Sequence, residues 1–322
     1  MVNILQVSHV VKRYAHHTAL NDVSICIPRQ SIFGLLGPNG AGKTSLIRIV
    51  TQITAPDSGE ILFNGEKLHP RHIARIGYLP EERGLYKKMK VGEQLLYLAQ
   101  LKGMTKPEAM EKLRYWFKKF DISTWWGKQV EDLSKGMQQK IQFVATVLHE
   151  PELIILDEPF SGFDPINANL IKNEILELRE KGSTIIFSTH RMESVEELCD
   201  HIALINRSEK VLDGSTQSVR NRFRSNTFFV EFEGTLPLLP PTFEIMDTQL
   251  LEAKEGDASL YRAKIRIHSP ATTNDLIAVL IQQVRISSFR ESIPSMNDIF
   301  ISSVTGVDTE MISGQTRSIY TE

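Results

Sequence analysis

Gly37-Pro38-Asn39-Gly40-Ala41-Gly42-Lys43-Thr44 is the stretch that decides the fold of this chain. It follows an apolar run (Ile32, Phe33, Leu35, Leu36) and precedes Leu46, Ile47, Ile49 and Val50, whose spacing is helical. Strand, glycine-rich loop and helix in that order are the setting of a phosphate-binding loop. The glycines let successive backbone N–H groups turn inward on phosphates, at a helix N-terminus whose partial charge favours anions. Lys43 adds a point charge for the outer phosphates, Thr44 offers a hydroxyl to Mg²⁺, and Ser45 completes the set. The chain is expected to bind a nucleoside triphosphate.

Length and composition bound the rest. At 322 residues the chain exceeds the usual single domain, so two domains are expected. Apolar residues make up 41% and charged residues 24%, ordinary for a globular protein. A net charge of −2 gives no global basic field, so nucleic acid is not an expected partner. No apolar run is long enough to span a bilayer, and residues 1–8 lack a signal-peptide layout, so a cytoplasmic protein is expected. Cys26 and Cys199 read as buried free thiols.

Apolar runs at 5–11, 23–27, 32–36, 60–63 and 75–79 read as strands, and 91–120 and 134–149 as helical. Buried strands at 153–156 and 184–187 flank a helix at 166–179, an alternation that implies a largely parallel sheet covered by helices. The pattern changes past Asp213-Gly214. A helix at 216–223 leads to strands at 227–233, 260–267 and 286–290 and helices at 272–284 and 297–303. The prolines of 236–241 exclude a central strand there. The expected division is a nucleotide-binding domain over 1–223, with a helical subdomain at about 84–150, and a small α+β domain over 224–304. A mobile tail is expected over 305–322.

Further clusters select among nucleotide-binding classes. Leu153-Ile154-Ile155-Leu156-Asp157-Glu158-Pro159 is an apolar strand that delivers two carboxylates to its C-terminal end. Asp157 can reach the Mg²⁺ shell, and Glu158 can orient or deprotonate an attacking water. Leu133-Ser134-Lys135-Gly136-Met137 opens a helix, with Ser134 as N-cap and Gly136 allowing close approach of an anion. Placed shortly before the Asp-Glu strand, it resembles the signature motif of ATP-binding-cassette (ABC) ATPases. Ser161-Gly162-Phe163-Asp164 falls at that family's D-loop, His190 on its switch histidine and Tyr14 on its adenine-stacking aromatic. The resemblance implies an ABC-type α/β fold: a mostly parallel sheet, an N-terminal antiparallel β subdomain and a helical subdomain, with the small α+β domain appended.

Residues 76–86 and the Leu-Ser-Lys-Gly-Met form of the signature are similar to the sodium-efflux-type exporter ATPases, as is Pro294-Ser295-Met296-Asn297-Asp298-Ile299-Phe300 near the end. The resemblance implies ATP and Mg²⁺ as cofactors, hydrolysis coupled to export, and separate transmembrane permease subunits as partners. It also implies a second copy or a related ATPase subunit, whose Ser134 and Gly136 would complete the nucleotide site, with Asp164 among the nucleotide-binding residues. The chain would then sit on the inner face of the cell membrane. A soluble ABC ATPase acting on DNA or ribosomes is the alternative. Glu81 stands where the family usually has Gln, at a loop that senses Mg²⁺ and the membrane partner; its carboxylate still offers oxygen to a cation. Lys135 and Met137 replace the commoner Gly and Gln of the signature, and their effect is open. Trp125-Trp126 read either as core of the helical subdomain or as wall of a groove for a permease helix. Lys87, Lys88 and Lys90 read as a solvated face or as a contact with permease or anionic lipid. His16, His17, His69, His72 and His201 show no metal-ligand spacing.

Overall fold

Strands β1 (Asn3–Tyr14) and β2 (His17–Pro28) alternate apolar with polar residues and pair antiparallel, Tyr14 opposite His17. Leu5, Val7 and Val10 on β1 and Leu20, Val23 and Ile25 on β2 are buried. The alternation leaves Cys26 on the solvent side, so only Cys199 is the buried thiol that composition suggested for both. A fully buried β3 (Ile32–Leu36) runs into the phosphate loop and helix α1 (Lys43–Val50). β4 (Ser58–Phe63) and β5 (Glu66–Lys67) join the first two strands in a sheet of order β2-β1-β4-β5. The computed structural model describes residues 2–82, 84–253 and 259–307. Arg83 of the 76–86 motif and 308–322 of the expected tail lie outside the described residues.

β6 (Ile76–Leu79) precedes three helices, α2 (Val91–Leu101), α3 (Lys106–Lys119) and α4 (Lys135–Val147). A capping box between Thr105 and Glu108 starts α3, and the Ser134 hydroxyl caps α4 by accepting from the Met137 N–H at 3.3 Å. Trp126 lies against Gly92 so closely that a Cβ there would sit 2.3 Å from the indole, and it packs on Phe117 at 5.3 Å. Trp126 thus packs inside the helical subdomain.

β7 (Leu153–Asp157), α5 (Pro165–Glu180), β8 (Thr184–Ser188), α6 (Met192–Leu198), β9 (His201–Asn206) and β10 (Glu209–Ser215) complete a six-stranded sheet. Its order is β10-β9-β3-β8-β7-β6, parallel except for the edge strand β10. Asp213-Gly214, read from sequence as the point where the pattern changes, lies inside β10. β3, β8 and β7 are adjacent and in register, with Ser188 opposite both Leu35 and Asp157. Their C-terminal ends therefore bring the phosphate loop, Asp157-Glu158 and Thr189-His190 to one rim of the sheet.

The chain divides into two compact units, Met1–Thr216 and Gln217–Glu322, ahead of the 223/224 boundary read from sequence. After α7 (Thr216–Arg222), β11 (Thr227–Glu233), β12 (Phe243–Glu252), β13 (Leu260–Ile267) and β14 (Arg285–Glu291) form an antiparallel sheet of order β12-β13-β11-β14. Phe228, Val230, Phe232, Ile265 and Ile267 pack with Leu276 and Leu280 of α8 (Thr273–Leu280). The Pro294–Phe300 motif is the start of α9 (Met296–Thr305): Ser295 and Asp298 form a capping box, and Met296 and Ile299 are buried. Among the described residues no helix is long and apolar enough to cross a membrane.

Candidate functional site

The phosphate loop is held from behind. Gly37 (φ 149°) and Gly42 (φ 116°) adopt backbone open only to glycine, and a Cβ would meet the Ile205 carbonyl at 2.1 Å and the Ala19 carbonyl at 2.2 Å. The Lys43 ammonium donates to the carbonyls of Gly37 (2.6 Å) and Pro38 (3.0 Å). Burial lowers its pKa, against the pull of Asp157, Glu158 and Glu81. At the loop's back, the turn between β9 and β10 carries Arg207 and Ser208 at positive φ. Ser208 donates its N–H to Ala41 O (3.2 Å) and its hydroxyl to Thr18 O (2.5 Å), and its carbonyl accepts from Asn21 N–H (2.8 Å).

The carboxylates sit opposite. Asp157 ends β7 at 5% exposure, and burial raises its pKa, reinforced by the charges of Glu81 and Glu158. Glu158 stands in left-handed backbone (φ 49°), its N–H donating to Ser188 O at 2.9 Å. Its carboxylate accepts from the His190 N–H (2.8 Å), from His190 Nδ1 (2.7 Å) and from the Thr189 hydroxyl (3.1 Å). With Nδ1 donating, His190 keeps Nε2 for another partner, and the ring is exposed while Glu158 is largely shielded.

Tyr14, Asn39, Gly40, Ala41, Gly42, Lys43, Thr44, Ser45, Glu81, Asp157, Glu158 and His190 line one cleft of about 450 Å³. Gly37 and Pro38 stand behind it and anchor Lys43. Ser134, Gly136 and Asp164 are not among its lining residues. Gly136 instead packs on the Gly162–Phe163 turn, and Asp164 caps α5 by accepting from Ile166 and Asn167 N–H at 3.0 Å. His17 lines the cleft beside Tyr14, and Thr189 positions Glu158; sequence reading assigned a role to neither. The signal for Thr189 was its place before His190 at a parallel strand's end. Thr44, Asp157 and Glu81 supply hard oxygen donors to the same cleft as Lys43, a set that suits Mg²⁺.

A second cleft of about 670 Å³ opens in the same unit, with Ile53, Ile73, Tyr78, Pro80, Leu98 and Leu101 among its walls. Lys102, Gln142 and His149 supply its polar lining. The Lys102 ammonium donates to Ile73 and Ile76 carbonyls at 2.8 Å, while the buried Gln142 Oε1 and His149 Nδ1 have no hydrogen-bond partner among the described residues. Neither Trp125 nor Trp126 lines it.

Residues 20–161 match the family described as ABC transporter, and residues 214–304 match the C-terminal domain of DrrA1-3-like ATP-binding proteins. The uncharacterized ABC transporter ATP-binding protein YhaQ of Bacillus subtilis is 40% identical over 94% of this chain and 99% of its own length. The linearmycin resistance ATP-binding protein LnrL of Bacillus subtilis is 28% identical over 92% of this chain and 97% of itself. Nod factor export ATP-binding protein I of Cupriavidus metallidurans is 32% identical over 66% and 72%. A solved ATP-binding subunit of an ABC transporter superposes with a TM-score of 0.65 at 30% identity, covering 68% of this chain and 93% of that one. A phosphate loop sharing one cleft with Asp157, Glu158 and His190, in a chain 40% identical to YhaQ over 94% of its length, places the protein in the family of ABC transporter ATP-binding subunits.

Proposed function

We propose that the chain hydrolyses ATP to drive export through separate permease subunits, closing on a second copy when ATP is bound and reopening after cleavage. The observation that carries this is the Glu158 carboxylate, fixed by three donors at the rim of the phosphate-loop cleft. The nucleotide's adenine would stack on Tyr14 and its phosphates on the 37–44 backbone, with Lys43 leaving the Gly37 and Pro38 carbonyls for the outer phosphates. Thr44, Asp157 and Glu81 would hold Mg²⁺, which neutralises charge on the β- and γ-phosphates. Glu158 takes a proton from water as the water oxygen attacks the γ-phosphorus and the bond to the bridging oxygen of ADP breaks. His190 Nε2, the ring's acceptor while Nδ1 donates to Glu158, takes a hydrogen bond from the attacking water and holds it in line beside the γ-phosphate. Thr189 and the His190 N–H keep the carboxylate from turning away.

Ser134, Gly136 and Asp164, none of which lines the chain's own cleft, would meet the γ-phosphate of a second copy. Charge-assisted hydrogen bonds of about 1.5–3 kcal/mol each would make ATP the adhesive and ADP a weaker one. Export as the direction is supported by the relatives named for Nod factor export and linearmycin resistance. The apolar cleft around Leu98 and Leu101 suits a short permease helix, which would place the chain on the membrane's inner face.

Glu158→Gln is the test. It is expected to bind ATP, to lose hydrolysis by about 10²–10⁴-fold, and to sediment as an ATP-dependent dimer. Wild-type turnover in this variant, or a monomer with ATP bound, would rule the mechanism out.

A further inference from the structure

We propose that His17 recognises the ribose of the bound nucleotide through a sugar hydroxyl, so that the cleft tells ribonucleotides from their deoxy forms. The assignment rests on the proposed placing of the base on Tyr14 and of the phosphates on residues 37–44. Tyr14 ends β1, His17 opens β2, and the two are direct partners across the hairpin. Opposed residues of an antiparallel pair project to one face, and both of these side chains line the nucleotide cleft. The Lys12 ammonium lies 5.4 Å from the centre of the Tyr14 ring and is held by Asp57 at 3.1 Å, while Lys12 is not among the cleft's lining residues. One face of the ring is therefore taken, which leaves the other for a base.

The phosphate end of the same stretch is fixed as well. Ala19, two residues after His17, also lines the cleft, and its carbonyl stands where a Cβ on Gly42 would meet it at 2.2 Å. Two residues of extended chain span roughly 6–7 Å. Over that distance β2 passes from the base platform to the phosphate loop. The sugar is what joins base to phosphates in a nucleotide, so it falls beside residues 17–19. Thr18 is tied down by the Ser208 hydroxyl, which donates to its carbonyl at 2.5 Å, and it does not line the cleft. Ala19 has no polar group to offer, which leaves His17. Its imidazole is exposed and makes no hydrogen bond among the described residues. A hydroxyl both donates and accepts, so a sugar hydroxyl pairs with the neutral ring in either tautomer.

Calorimetry of the full chain with Mg²⁺ and ADP, 2′-deoxy-ADP or 3′-deoxy-ADP tests this without hydrolysis. ADP is expected to bind about two- to tenfold more tightly than at least one deoxy form, as one hydrogen bond implies. His17→Ala is expected to abolish that preference; because the ratio is taken within one variant, a general loss of affinity does not mimic it. Equal affinities in the unaltered chain overturn the proposal, as does a preference that survives in His17→Ala. Uniform weakening of all three ligands by His17→Ala, with the preference intact, would move the imidazole to a phosphate. Tyr14→Ala is expected to weaken all three alike. Affinities unmoved by Tyr14→Ala would fail the base platform and this placing of the sugar with it, whereas absence of the ribose preference alone leaves the platform standing.

Discussion

Glu158 occupies left-handed backbone, where a non-glycine residue costs about 1–2 kcal/mol, and three side-chain hydrogen bonds hold it there. That strain aims its carboxylate into the cleft while Asp157, one position earlier, stays in strand geometry. A different residue governs acid stability. Burial holds the His149 imidazole down, to about 4, with the Lys102 ammonium acting in the same direction. The unfolded chain takes up this proton below the ordinary value of 6.5, and the folded chain does not until about 4. The unfolded state therefore binds more protons across that window, and stability falls as pH falls through it. His149→Gln is expected to flatten the decline by up to roughly 3 kcal/mol. Urea titrations at the two ends of the window would check it, and parallel slopes for both proteins would contradict it.

Among elements, those fully buried on both faces were the most legible. β3, β7 and β8 are buried at every position and apolar through their middles, as strands covered on both faces are. β12 was not legible. Bulges between Ile245 and Asp247 and between Leu250 and Glu252 break its period, and nearly all its residues are exposed. The site was legible where the phosphate loop and the Asp-Glu strand form local motifs. His17 and Thr189 gain their roles only from strands distant in sequence, which no local pattern records. The loop-to-α1 junction carries its own prediction. Gly42→Ala forces a Cβ to 2.2 Å from the Ala19 carbonyl at φ 116°, so the loop must shift. A loss of at least about 2 kcal/mol in stability is expected, with ATP binding falling in step. Thermal melts with and without ATP would report both, and an unchanged melting temperature would show that the loop yields freely.

At the scale of the whole molecule, separate cores imply separate melting. Ile47, Val50, Phe63 and Ile155 belong to one apolar cluster, and Phe232, Ile265 and Leu280 to another. Calorimetry is expected to resolve two transitions, and ATP with Mg²⁺ at a hundred times its Kd should raise only the first, by about 2.7 kcal/mol. A single transition shifted as one by nucleotide would mean that the units melt cooperatively. The turn at Arg207-Ser208 has a practical consequence. Its exposed tip resembles the sites where affinity tags and new chain termini are usually tolerated. Here Ser208 fastens the phosphate loop, β2 and the β9–β10 hairpin at one point. An epitope inserted after Arg207 would unpick that knot, and a protein still able to accept both the insert and ATP would have to grip its loop some other way.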